Sequence, residues 1–301
     1  MTLNELRYIV AVAQERNFRR AAEKAYISQP ALSLAIQKLE EELCAKIFER
    51  GKGRVSITPL GSEIVQQAQR ALEEVDRIRE IAMLGKGQLV SSLRLGIIHS
   101  VGPYLLPELI PVLKKVAPNM PLEIEENITA NLESLLLNGK LDVIVIALPF
   151  EDSSILTRAL YDEPFEVVVG NDHHWVTRRS IKAQELSGEK ILLLDSGHCF
   201  SNQVAEACPE LSRKGALIQH GTSLETIRNM AASGLGITVL PASANSPRYR
   251  NRLLNVIPFT KPAPSRRIAL AWRKSFARDQ AIEALSKAIS KTKIIGVKHL
   301  S

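Results

Sequence analysis

The chain has 301 residues, 45% hydrophobic and 24% charged, enough for two or three globular units with sizeable cores. No apolar run approaches the roughly 18 residues of a membrane helix, and "MTLNELRYIV" lacks the basic-then-apolar order of a secretion signal; a cytoplasmic protein with reduced thiols and no membrane partner is expected. The net charge of +7 points to an anionic partner, but its distribution is uneven: residues 1–60 hold ten Lys/Arg against seven Asp/Glu, and residues 266–301 hold nine against two. The basic tail segment "AIEALSKAISKTK" reads most simply as a solvated helix face, so charge alone names no binding module.

Leu3, Leu6, Ile9, Val10 and Ala13 recur at helical spacing over residues 3–15, and a second short helix is predicted from about Phe18 to Ala25, carrying Arg19 and Arg20 beside the small pair Ala21-Ala22. "YISQPALS" reads as turn and restart, with Ser28 as N-cap and Pro30 inside a first turn. The third helix is predicted to reach about Leu43, burying Leu32, Leu34, Ala35, Ile36 and Leu39, with Cys44 as core just beyond. "IFERGKGRVSITPLG" then reads as a hairpin wing whose Arg50, Lys52 and Arg54 reach phosphate. Helix, helix, tight turn, helix, wing is the order of a winged helix-turn-helix, predicted to fill residues 1–58. In such a module the helix after the turn enters the major groove. Gln29, Pro30, Ser33 and Gln37 are then candidates for base edges, flanked by Arg19 and Ser28. The helix pattern by itself also allows a small helical domain without nucleic acid.

The wording is more specific than the pattern. "FRRAAEKAYISQPALSLAIQKLEEELCAKIFER" followed by "ITPLG" closely resembles the DNA-binding domain of LysR-type transcriptional regulators, without a gap over residues 1–65, with Ile47 in a usual Leu place. The resemblance implies double-stranded promoter DNA as partner, and RNA polymerase beside it.

Thr58 and Pro59 form a helix start. From there Ile64, Ala68, Ala71, Val75, Ile78 and Ala82 recur at steps of four and three, a heptad seam for a partner helix, although packing on the chain's own module stays open. Residues 59–86 are thus expected to be a dimerising linker helix and hinge, with "GKGQLVSS" ending it. LysR-type proteins pair their DNA-binding domains through a helix at this place, which implies a homodimer, and they usually form tetramers.

Beyond it, "LRLGII", "LEIEEN", "LDVIVIAL", "FEVVVG", "ILLLD" and "GITVLP" are strand-like and alternate with helical patterns, the signature of parallel sheets covered on both faces. The expected class is α/β. The resemblance implies an effector domain over 87–301, built as two lobes of the type II periplasmic-binding-protein kind, with lobe I at 87–160 and 266–301 and lobe II at 161–265.

"DSGHCFSNQVAEACPE" holds two of the three cysteines, Cys199 and Cys208. "SNQVAEA" contains good helix formers with a Ser or Asn to cap them, and Pro209 marks the end. In a helix nine residues span about 13 Å at about 1.5 Å per residue, whereas a disulfide needs Cα atoms within about 7 Å. Two blander possibilities remain at this point: small buried thiols, or a zinc site using His198, Cys199, Cys208 and His220, whose spacing matches no compact pattern. His173-His174 reads as surface.

Gly197-His198-Cys199, Gln203 and the cysteine interval resemble the peroxide-sensing, OxyR-like branch of the LysR-type family. That resemblance implies Cys199 as the peroxide-reactive thiolate and Cys208 as its resolving partner in a reversible disulfide. It implies Ser100, Thr129, His198 and Arg266 as groups that orient peroxide or support the thiolate, and an activator of antioxidant genes with no cofactor and no metal. The branch usually has a basic residue and Asp after "HCF"; Ser201-Asn202 stand here instead. Two further functions remain: a regulator answering to a metabolite between the lobes, and a thiol peroxidase. The latter lacks the proline that peroxiredoxins place seven residues before the cysteine, where this chain has Leu192.

Overall fold

The computed structural model describes residues 1–51, 54–84, 87–195, 197–209 and 217–300. It divides into two compact units, Met1–Gly85 and Lys86–Ser301.

In the first unit, α1 (Leu3–Glu15) starts at a capping box in which Thr2 accepts from Glu5 N and Glu5 bonds back to the Thr2 amide. Asn17 caps α2 (Phe18–Lys24), and Ser28 caps α3 (Gln29–Glu42) by accepting from Ala31 N. Leu6, Ile9, Phe18, Ala21, Leu32, Ile36 and Leu39 close the core. The buried carboxylate of Glu40 accepts from the amides of Ile47 and Phe48 and from Lys46 Nζ, tying α3 to the hairpin β1 (Phe48–Gly51) and β2 (Arg54–Ile57). Burial works to raise its pKa, but the Phe48 amide, Lys46 and the Ile47 amide outweigh it and hold it below the usual carboxylate value.

Three expectations for this unit are corrected. Leu34 is not in the buried stripe; it is 54% exposed, on the outer face of α3 with Pro30 and Gln37. Cys44 is exposed rather than core. It is the left-handed residue (φ 48°) of a Schellman close, with Ala45 N donating to Glu40 O and Cys44 N to Glu41 O. The third concerns the heptad seam on α4 (Pro59–Leu84). Ala68 is buried in the module's own core, where Ile64 and Ala71 also pack half-buried, so these positions are not wholly free for a partner helix. Val75 is half-buried and Ile78 is 67% exposed. The Ala82 side chain lies outside the described residues, as do Lys52 and the side chains of Arg50 and Arg54.

The start of α4 fixes its angle to the hairpin. Thr58 Oγ1 accepts from Gly61 N and donates to Lys46 O. A β-carbon on Gly61 would lie 2.2 Å from the Ile47 carbonyl oxygen, a clash with backbone that no rotamer relieves. Gly61→Ala is therefore expected to cost about 3 kcal/mol and to weaken DNA binding with it. Thermal melting and gel shifts on the full chain check this; a melting temperature within a degree of the parent's would refute it.

In the second unit, β3 (Leu93–Ile98), α5 (Gly102–Val116), β4 (Leu122–Asn127), α6 (Thr129–Leu137) and β5 (Val143–Leu148) form a parallel arrangement with strand order β4-β3-β5. The next strand, β6 (Ile155–Gly170), serves two sheets. Its first part, through Pro164, pairs antiparallel with β11 (Ser265–Arg273), which in turn pairs with β5. From Phe165 it pairs with β9 (Ile237–Pro241), and with β10 (Leu254–Pro258) on its other edge. Behind β9 stand β7 (Lys190–Leu194) and β8 (Leu217–Gly221), both parallel to it. The sheets are thus mixed rather than wholly parallel, and "FEVVVG" is the tail of a longer strand. A core around β3, β5, α5 and α9 (Asp279–Ser290) sits on the first sheet. A second core, around β6, β7, β9 and α8 (Leu224–Ala232), sits on the other. Among the described residues no helix is long and apolar enough to cross a membrane.

Candidate redox site

The C-terminal ends of parallel strands are where α/β folds gather functional loops, and three such ends meet this site. His99 and Ser100 follow β3, Glu126 stands one residue before the end of β4 with Thr129 three residues on, and His198 and Cys199 follow β7. The helix between the cysteines, α7 (Cys199–Ala207), begins earlier than expected: His198 is its N-cap, and neither Ser201 nor Asn202 caps it. Ser201 is buried and donates its hydroxyl to Leu194 O at 2.7 Å, so this position anchors α7 to β7 rather than offering a charge to Cys199. Cys199 stands instead in the first turn, where the amide dipoles favour an anion.

Phe200, Val204 and Cys208 recur at steps of four along α7 and are all buried in the second core, with Phe200 packed edge-on against Phe165 at 5.3 Å. Cys199 is half-buried and packs against the first core. The two thiols therefore belong to different cores, at opposite ends of one helix, with their Cα atoms about 13 Å apart by helical rise.

Against Phe200, the residue after Cys199, the polar groups form a connected set. Arg266 and Glu163 are a buried ion pair at 2.8 Å. Arg266 also donates to Ser100 Oγ at 2.6 Å and to Ser100 O, and its guanidinium lies 5.0 Å from the centre of the Phe200 ring. Because Ser100 Oγ accepts from Arg266, its own proton is available to another acceptor. Glu163 further accepts from Ser243 N. Two buried oxygens, Thr129 Oγ1 and Gln203 Oε1, have no hydrogen-bond partner among the described residues. Buried polar atoms are normally hydrogen-bonded, and Gln203 is one turn along α7 from Cys199. His198 faces His99 with ring centres 5.4 Å apart. Burial lowers the pKa of both imidazoles, and the charge of His99 pushes His198 down further against the pull of Asp195.

Ser100, His198, Cys199 and Arg266 thus fall on one junction between the cores. Glu163, His99 and Glu126 were missed. Glu163 could have been found from alternation, since Tyr161, Glu163 and Phe165 share the inward face of β6. The zinc alternative is not supported by the geometry. The groups able to converge on a metal, among the described residues, are His173, His174 and Glu189, not the cysteines, and His220 Nδ1 lies 3.1 Å from Leu194 O. His173 is not fully on the surface: its Nδ1 accepts from Trp175 N, leaving the proton on Nε2 for Glu189. A metal-ligating imidazole would need the reverse arrangement.

Comparison with known proteins agrees with the geometry. The profile described as "LysR substrate binding domain" matches residues 86–292, and "Bacterial regulatory helix-turn-helix protein, lysR family" matches residues 3–62. The "DNA-binding transcriptional dual regulator OxyR" of Escherichia coli K12 is 38% identical, the match covering 96% of this chain and 95% of that one. A "Hydrogen peroxide-inducible genes activator" of Dickeya chrysanthemi is 36% identical over 100% and 99% of the two chains. Full-length OxyR C199D from Pseudomonas aeruginosa superposes with a TM-score of 0.77 at 48% identity, covering 100% of this chain and 99% of that one. A Corynebacterium glutamicum OxyR mutant solved with H2O2 bound superposes at 0.65 with 31% identity, over 96% and 92% of the chains. This chain belongs to the LysR family of DNA-binding transcriptional regulators, not to an enzyme family, and within it to the OxyR-like proteins.

Proposed function

We propose that the chain is a peroxide-responsive activator of antioxidant genes, switched by a reversible Cys199–Cys208 disulfide. The observation that carries this is the placement of the two thiols in different cores at the ends of one helix. In the first step Cys199 sulfur attacks one peroxide oxygen: an S–O bond forms, the O–O bond breaks, and the thiol proton leaves with the other oxygen as water. In the second, the Cys208 thiol displaces water from the sulfenic acid, and its sulfur takes the new bond. Ser100 and Thr129 orient peroxide, and His198 and Arg266 support the thiolate. No bound cofactor or metal is needed. Bridging requires α7 to unwind, so chemistry at one sulfur biases a two-state element.

The readout is DNA. Residues 1–58 form the reading module and 59–86 the linker helix that pairs two chains. Over 87–301, lobe I (87–160 and 266–301) and lobe II (161–265) meet at the redox site. Gln29, Pro30, Ser33 and Gln37 on α3 meet base edges, while Arg19, Ser28, Arg50, Lys52 and Arg54 hold the backbone. Dimers pair into tetramers on a partly palindromic promoter site in the cytoplasm and engage RNA polymerase there. The test is thiol trapping with mass spectrometry after roughly one equivalent of peroxide, without air. A linked Cys199–Cys208 peptide, with Cys44 still alkylated, is expected. Free thiols throughout would end the redox reading and turn the search to a metabolite at the lobe junction.

A further inference from the structure

His99 directly follows β3, and Glu126 stands one residue before the end of the neighbouring parallel strand β4. The two strands thus deliver an imidazole and a carboxylate to one edge of the first sheet, with His99 Nδ1 3.4 Å from Glu126 Oε1. The other carboxylate oxygen lies against the first turn of α5, 3.2 Å from where a β-carbon on Gly102 would stand. A helix N-terminus favours negative charge there, while burial raises the carboxyl. With the Nδ1 proton of His99 drawn toward Glu126, Nε2 is the nitrogen left to exchange. The His99 ring meets the ring of His198, the residue before Cys199, at 5.4 Å and a 48° tilt.

Two half-buried imidazoles this close do not both carry a proton readily, so they titrate as a pair that holds one. The charged and titratable groups facing them are Glu126 from β4, Asp195 and Cys199 on either side of His198, and Arg266 of β11 through Ser100. Arg266 is matched by Glu163 and Glu126 is the sole carboxylate in contact with His99 among the described residues.

We propose that His99, held by Glu126, is a positioning residue for peroxide reduction at Cys199, setting the orientation and proton occupancy of His198 so that the imidazole pair takes the thiol proton and returns it to the leaving oxygen. This rests on the peroxide reading above. The balance is unchanged: the sulfur loses two electrons, the O–O bond gains them, and the proton taken from sulfur ends on the departing water. The pair accepts a proton only while neutral. Burial and mutual repulsion keep it neutral below the ordinary imidazole value near pH 6.5, so the oxidation rate holds up in mild acid.

The experiment is the rate of Cys199 sulfenic acid formation in the full, reduced chain, trapped with dimedone and read by mass spectrometry from pH 5 to 8.5. His99→Phe keeps a ring and removes both nitrogens. It is expected to slow the reaction about tenfold at pH 6, less than the roughly 10²–10⁴-fold of a direct proton-transfer group, and to move the acid limb upward as His198 loses its charged neighbour. Glu126→Gln takes a negative charge away from the pair and is expected to shift the limb the opposite way, downward, by less. An unchanged rate and limb in His99→Phe would overturn the proposal, and so would a uniform slowing with the limb in place, which marks a packing role. His99→Gln, also unable to titrate, decides the matter by the same two criteria if the Phe variant melts early. A parent chain that peroxide does not oxidise at all would instead overturn the peroxide reading itself.

Discussion

Cys199→Ser is expected to remove the response to peroxide entirely: no linked peptide, no sulfenic acid at position 199, and one nuclease footprint with or without oxidant. Serine is nearly the same size, and the half-buried position against the first core tolerates a hydroxyl, so the fold should hold. What disappears is the chemistry, because a hydroxyl is not an oxidisable nucleophile at neutral pH whereas a thiolate is. DNA binding itself should persist, since α3 and the hairpin lie in the other unit. A footprint in Cys199→Ser that still changes with peroxide would place the sensor elsewhere. Cys208 requires a different control. Its side chain is fully buried in the second core, where a serine hydroxyl is costlier to desolvate than a thiol. Cys208→Ala avoids that penalty and should stop the reaction at the sulfenic acid, with the helix still docked.

The helix between the cysteines was legible in the sequence because local rules govern it: good formers and a proline after the end. Its start was not. Ser201 looks like a cap, but its hydroxyl is used by the Leu194 carbonyl of a strand that local rules cannot see. The reading module was legible for a similar reason, since Thr2, Asn17 and Ser28 all cap helices within three residues of themselves. Leu34 and Cys44 misled because apolarity was read as burial. One lies on the outer face of the helix after the turn, and the other occupies a left-handed close where glycine is the usual residue. The heptad on α4 misled by counting: one stripe serves its own core at Ala68 and lies open at Ile78.

The junction of the two cores was the least legible part. Strand β6 changes sheets between Pro164 and Phe165, and no local pattern reports that a strand will do so. Everything held at that crossing, including Glu163, is contributed by pairs far apart in the chain. Arg266 could be named from resemblance, but its partner could not. The same non-local construction would serve the switch proposed for α7. Phe200 and Val204 dock on one core while Cys199 touches the other, so an event at Cys199 is felt where the cores meet. Undocking forfeits about 1.5–3 kcal/mol for each large apolar side chain exposed, and peroxide reduction has to offset that loss.

Glu163→Ala is expected to destabilise the full chain by about 3–5 kcal/mol, the usual penalty for leaving one member of a buried ion pair without the other. Both charges are almost wholly out of water, with Glu163 0% and Arg266 3% exposed. Among the described residues, Arg266 would keep only the oxygens of Ser100 and the face of Phe200 against a full positive charge. Ser243 N would lose its acceptor as well. Removing both charges together, as Glu163→Leu with Arg266→Met, should restore much of the loss, because the replaced volume is apolar and no ion is stranded. Denaturant unfolding of the parent, both single variants and the double variant forms a cycle that measures the coupling. Single-variant losses below about 1 kcal/mol would show that water reaches Arg266, since exposed pairs contribute about that much or less. The double variant carries a second consequence. Without Arg266, Ser100 Oγ is no longer held as an acceptor, so its proton loses its direction. The peroxide rate at Cys199 should then fall even though stability has returned. Recovery of the rate along with stability would mean that the ion pair shapes the junction but plays no part in orienting peroxide.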